Sequence, residues 1–92
     1  MSFTATFTPF PMHEYLNDPI DVTVDFIDSR VRPRSVCWDN RVYAMKNVNL
    51  VHSTNEEGQH IFYFSVSDDT NFMKLRLNTK NLEWRIVELY TD

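Results

Sequence analysis

Glycine and cysteine are almost missing from this chain: its 92 residues include one of each, Gly58 and Cys37. A single glycine leaves no loop able to cradle phosphates, and neither G-x-G-x-x-G nor a Walker-type pattern occurs. A single cysteine cannot close an internal disulfide, which fits a reducing compartment. With no motif around it, Cys37 reads as a small buried residue rather than a nucleophile. No lysine or arginine precedes Arg30, so the basic start of a signal peptide is absent. No apolar run approaches the ~20 residues that a membrane helix needs. The expectation is a cytoplasmic protein without membrane segments. No stretch keeps a 3.6-residue apolar period over several turns either, so helices are not expected.

Aromatic residues are abundant, at 14% of the chain, within an ordinary hydrophobic share of 42%. They sit largely in alternating segments, the pattern of strands. The length suits one domain over residues 1–92 with one modest core. With glycine so scarce, the turns fall to Asp and Asn, and Asn17, Asn40, Asn55, Asn78 and Asn81 are placed to serve. Net charge is −4, but its sign is segregated. The chain before Arg30 holds five acids and no base; residues 30–46 hold five bases and one acid, Asp39; the remainder holds seven acids and four bases. A basic middle between acidic flanks points to pairing across the fold, or to a local anion-binding patch.

Residues 1–17 read as an aromatic arm and residues 20–90 as a β core. In the arm, Phe3, Ala5 and Phe7 alternate with Thr4, Thr6 and Thr8, and Pro9 and Pro11 then halt regular structure. Met12 to Leu16 reads as one helical turn. The arm strand can cover its own sheet edge or be exchanged with a second copy of the chain. Ile20, Val22, Val24 and Phe26 then alternate with Asp21, Thr23 and Asp25. Arg30, Arg32 and Arg34 follow at spacing two and would project one way from an extended segment, placed either to grip phosphates or carboxylates or, the favoured reading, to pair with Asp21, Asp25 and Asp28 next door.

The centre of the chain reads as a tight hairpin over Arg34 to Met45 with Asp39-Asn40 at its tip. Both residue types tolerate the positive φ that a two-residue turn demands. That turn would pair Trp38 with Arg41, Cys37 with Val42, Val36 with Tyr43 and Arg34 with Met45. Val48 to His52 continues as a strand, and Asn55 to Gly58 turns the chain. Ile61 to Val66 is apolar on both faces and reads as a central strand. Met73, Leu75 and Leu77 alternate with Lys74, Arg76 and Asn78. After a turn at Asn78 to Asn81, Leu82, Trp84 and Ile86 do the same. The fold expected is all-β: a small antiparallel sheet forming a partly open barrel or sandwich of six to seven short strands.

Pro33, Trp38, Arg41, Tyr43 and Val48 stand in the order P-x4-W-x2-R-x-Y-x4-V, followed by Tyr63-Phe64-Ser65-Val66, Met73 to Leu77 and Trp84-Arg85-Ile86. In these residues the chain resembles a small all-β bacterial domain of unknown function, found alone or at the C-terminus of proteins similar to Y-family DNA polymerases. The resemblance covers residues 20–90. It departs at Asn40, where the pattern favours glycine, and at His52, where it tends to an aromatic. It carries over no catalytic residue and implies an accessory role beside DNA-processing enzymes.

Chemistry finds little footing. His52 and His60 bracket the loop from Ser53 to Gln59, but two histidines and a loop acid, Glu56 or Glu57, do not make a closed metal site. Asp21 and Asp25 share a strand face without a third ligand. No catalytic residue, metal or cofactor is expected, and the chain is not read as an enzyme. Binding remains. Aromatics beyond the needs of a core, and an arm with three phenylalanines, point to a small β interaction module making protein–protein contact or self-associating as a homodimer. The alternative is single-stranded nucleic acid, with Arg34, Trp38, Arg41 and Tyr43 as a stacking platform and Lys74 and Arg76 tracking the phosphates.

Overall fold

The computed structural model describes residues 12–91. The Phe3–Thr8 run expected as a strand lies outside the described residues. Eight strands are present: β1 (Met12–Pro19), β2 (Asp21–Ile27), β3 (Arg30–Trp38), β4 (Arg41–Ala44), β5 (Asn47–Glu56), β6 (Gln59–Ser67), β7 (Asn71–Asn78) and β8 (Glu83–Thr91). They form two antiparallel sheets, one ordered β1-β8-β7-β6-β5 and the other β2-β3-β4. The all-β expectation holds, with eight strands among the described residues in place of six or seven.

The added strand is β1, in the stretch read as a helical turn. Only Ile20 separates β1 from β2, and only Met45 and Lys46 separate β4 from β5. Each of these is one extended run that bends and changes sheet, the usual way of making the corner of a sandwich. Backbone bonds hold both corners. Ile20 N–H donates to the Trp84 carbonyl at 3.2 Å, Met45 N–H to the Arg34 carbonyl at 2.8 Å, and Lys46 N–H to the Ser67 carbonyl at 2.9 Å. The strands follow one another in sequence order, and β8 returns to pair with β1, but the ladder breaks at the two bends and no barrel closes.

Met12 to Leu16 is not a helical turn. It is the first part of edge strand β1, with His13 opposite Tyr90, Glu14 opposite Leu89 and Tyr15 opposite Glu88. Pairing buries what a lone helical turn would leave in water: Leu16 packs against the core, and His13 stacks on Tyr90 at 4.0 Å. Among the described residues sheet pairing is already present at Met12, ahead of the arm boundary expected at Asn17.

Of the asparagines expected in turns, Asn40 and Asn81 lie in turns, whereas Asn17 lies in β1, Asn55 in β5 and Asn78 at the end of β7, and the turn after β5 is Glu57-Gly58. Asp28-Ser29, Asp39-Asn40 and Glu57-Gly58 each close a two-residue hairpin with both φ values positive, between 52° and 77°. This is the backbone that matches the twist of the flanking strands. The central hairpin has the expected register, with Trp38 opposite Arg41, Cys37 opposite Val42 and Val36 opposite Tyr43.

Alternation decides the inner layer. Phe64 and Val66 from β6, Met73, Leu75 and Leu77 from β7, Ile86 and Leu89 from β8, Val36 from β3 and Ile20 at the first bend form the buried cluster. Ile86 and Leu89 break strict alternation because Val87 is an extra residue: Lys74 faces Glu88, but the adjacent Leu75 faces Ile86. A bulge at Val87 restores the apolar side chains to the inner face. Bulges at Arg34 and Asn49 likewise lie close to the second bend.

Removing a side chain from the centre of this layer is expected to be costly. Leu75→Ala should lower unfolding free energy by about 2–5 kcal/mol. Val42→Ala, on a side chain that is 74% exposed, should change it by less than about 0.5 kcal/mol. Urea titrations of the two variants against the parent chain measure both.

Candidate functional site

The two sheets do not meet along their whole length. At the far end of the β2–β3 hairpin they part, leaving a cleft of about 1090 Å³. Its floor is aromatic and aliphatic. Phe62 and Phe64 on β6, Leu77 on β7 and Trp84 on β8 line it, with ring centroids 6.2 Å apart between Phe62 and Phe64 and 5.3 Å between Phe64 and Trp84. Alternation alone would bury Phe26 with Val22 and Val24. Because the sheets have separated there, Phe26 is 76% exposed. With Ile27 it forms one wall of the cleft, and Leu50 and Val51 on β5 form the other. All four are exposed. Asp28, Arg30 and Arg32 bring the charge in the lining, all from the β2–β3 hairpin.

Leu82 stands at the mouth in the β7–β8 turn, 71% exposed and with φ of 60°. A left-handed conformation costs an L-residue about 1–2 kcal/mol, and glycine or asparagine ordinarily takes such a position. Here strain and exposure fall on an apolar side chain that lines the cleft. Neither cost serves the core, and strain retained at one place is a pointer to use.

Two strand edges also meet this space. Among the described residues, β5 pairs with β6 alone and leaves its other edge open. β4 covers β3 only from Ser35 to Trp38, so the Arg30–Pro33 part of β3 is open on that side. Both open segments contribute to the cleft lining. Open backbone edges are templates for a further strand.

The six residues expected to bind are divided between the sheets. Trp38 and Tyr43 lie on the three-stranded sheet, half-buried against the core, with ring centroids 6.2 Å apart. The Trp38 indole N–H donates to Asp18 Oδ2 at 3.0 Å, tying β3 to the end of β1. Arg41 stands opposite Trp38 and is exposed. Arg34 pairs with Asp25 at 3.5 Å, the acid pairing anticipated for the arginine run. Lys74 and Arg76 alternate with the buried Met73, Leu75 and Leu77, and so lie on the opposite face of the larger sheet. There Lys74 pairs with Glu88 at 3.0 Å and Arg76 with Glu56 at 3.1 Å. Trp38 and Tyr43 are thus brought together, and Lys74 and Arg76 are not brought to them. The cleft itself was not anticipated. Its traces in the sequence are the apolar Phe26-Ile27 pair running directly into a turn and Leu82 beside Asn81.

Polar groups organise the outer face. Tyr63 O–H donates to Glu56 Oε2 at 2.7 Å and Arg76 donates to Glu56 Oε1. The Tyr63 hydroxyl first, then the Arg76 guanidinium, holds the Glu56 carboxyl below its ordinary range. Burial, reinforced by Glu56, pushes the Tyr63 phenol up. Lys74 holds Glu88 down in the same way, aided by His13 at 2.9 Å. His52 stacks on Tyr63 at 5.1 Å, whereas His60 packs on Phe62, so the two histidines lie on opposite faces of the sheet. No group of three His, Cys, Asp or Glu able to hold a metal occurs among the described residues.

Comparison with protein-family models, curated proteins and solved structures finds no match to this chain. Among the described residues no helix is long and apolar enough to cross a membrane.

Two measurements follow from these side chains. Leu82→Gly releases the left-handed strain at the cost of a freer unfolded chain, and should raise stability by about 0.5–1 kcal/mol in urea titration. Glu56 is lowered from an ordinary value of 4.5, so its stabilising effect is complete above that pH and is lost as pH falls through its depressed folded-state value. The stability difference between the parent chain and Glu56→Gln should therefore be full at pH 6 to 7 and shrink towards zero in strong acid.

Proposed function

We propose that this protein is an interaction module that receives an extended, apolar segment of protein in the cleft between its sheets, laid along the open edge of β5. The observation that carries this reading is the gathering of Phe26, Ile27, Leu50, Val51 and Leu82, all exposed, around one aromatic floor. Scattered apolar side chains on a surface are ordinary, but a contiguous group beside an unpaired strand edge supports strand addition. The edge would supply backbone hydrogen bonds. The cleft would select alternate side chains, because every second residue of an added strand projects on the face of the sheet that carries the aromatic floor. A nucleic-acid reading draws less support, since Arg34, Lys74 and Arg76 each have a carboxylate partner and occupy different sheets.

Selection from a displayed library of eight-residue peptides, with the parent chain as bait, tests the reading. Peptides with aromatic or branched residues at every second position are expected to emerge. Their affinity should fall at least tenfold for Leu82→Glu and for Phe26→Glu, and stay within twofold for Val42→Glu on the outer face of the smaller sheet. Equal affinity for all three variants would remove the cleft from consideration.

A further inference from the structure

We infer that the occupant of the cleft is the Phe3–Thr8 segment of a second copy of this chain, exchanged reciprocally between two protomers. This rests on the proposed function and names its partner. Three observations lead to it.

The first is chemical fit. Residues 1–11 contain no charged side chain, and Phe3, Ala5 and Phe7 alternate with three threonines. In an added strand the two phenylalanines and the alanine would share one face and the threonines the other. The cleft offers the complement, an uncharged aromatic floor under an open edge.

The second is length. β1 and β5 are the opposite edges of the five-stranded sheet. A strand added to β5 lies five strand spacings from β1, about 24 Å across the sheet. Thr8 is joined to Met12, the first residue of β1, by a link that spans at most about 14 Å when fully extended. Pro9 and Pro11 restrict the path of that link further. The run therefore cannot reach the β5 edge of its own sheet while β1 remains paired with β8. A second copy is under no such limit.

The third is symmetry. Every copy carries one such run and one such cleft. Two copies related by a two-fold axis satisfy both pairs at once and leave no further β5 edge open, so assembly stops at two. Leu82, strained and exposed, would then bound the far side of the cleft that receives the phenyl rings.

Size-exclusion chromatography with light scattering on the full chain provides the test, using three proteins: the parent, Phe3→Asp/Phe7→Asp, and Leu82→Glu. The parent should run as a dimer, at about twice its 11.0 kDa mass. Each variant alone should dissociate at least tenfold more readily. An equimolar mixture of the two variants should regain heterodimer, because the intact arm of one meets the intact cleft of the other. A variant that merely failed to fold could not complement in this way. The arm variant, with its cleft vacated, should also bind the selected peptides at least tenfold more tightly than the parent does. A parent chain that stays monomeric at several hundred micromolar overturns the exchange, and so does a dimer indifferent to both changes. If selected peptides still bind in a Leu82-dependent way, the cleft reading survives that result. If they do not, both readings fall together.

Discussion

The apolar layer shared by the two sheets depends on two bends. At Ile20, and again at Met45 and Lys46, a single extended run leaves one sheet and enters the other. Each bend is anchored by backbone hydrogen bonds, to Trp84 at one corner and to Arg34 and Ser67 at the other. Around these corners the sheets are pressed together, and Val36 of the small sheet is buried with Val66, Met73, Leu75, Ile86 and Leu89 of the large one. Away from the corners nothing of comparable strength holds the small sheet down. The β2–β3 hairpin projects past the contact, and the space beneath it is the cleft. One constraint thus gives both the packed half of the molecule and the open half.

Much of this architecture was readable in the sequence, because period-two alternation is a local property. The pairs Trp38–Arg41, Cys37–Val42 and Val36–Tyr43 follow from placing Asp39 and Asn40 in a turn that wants positive φ. The inner faces of β6 and β7 follow from counting every second residue. The division of residues between sheets does not, because it depends on where an extended run bends, and a bend of one or two residues leaves the alternation around it almost undisturbed. Ile20 reads as the first inward residue of a strand and is in fact the hinge before it. The helical turn read at Met12 to Leu16 failed for a related reason. Five residues cannot distinguish the two periods, and the partner that settles the matter, Tyr90 to Glu88, lies at the other end of the chain.

The site was less readable than the fold. Trp38, Tyr43 and the arginines attract attention as stacking and phosphate-gripping groups, yet most have structural partners: Asp18 for the indole, Asp25 for Arg34, Glu88 and Glu56 for Lys74 and Arg76. Of the five bases in residues 30–46, Arg34 and Lys46 meet carboxylates, Asp25 and Asp69, while Arg30 and Arg32 line the cleft. Conversely, Phe26 and Val51 look like ordinary inward strand residues, and only the separation of the sheets exposes them. Exposure of this kind is a tertiary property. Leu82 is the exception, since a leucine next to the Asn81 turn residue, where a glycine would be at ease, is a local irregularity that sequence can show.

One rung of the ladder has a mechanical meaning. Met12 faces Thr91, so the strands that bring the chain in and take it out are antiparallel neighbours whose outer ends coincide. Tension applied through those two residues acts across the β1–β8 pair, in line with its hydrogen bonds, and loads them one after another like the teeth of a zip. Strands pulled lengthwise in opposite directions resist with all their bonds at once. This pair cannot, and it is built to peel at low force.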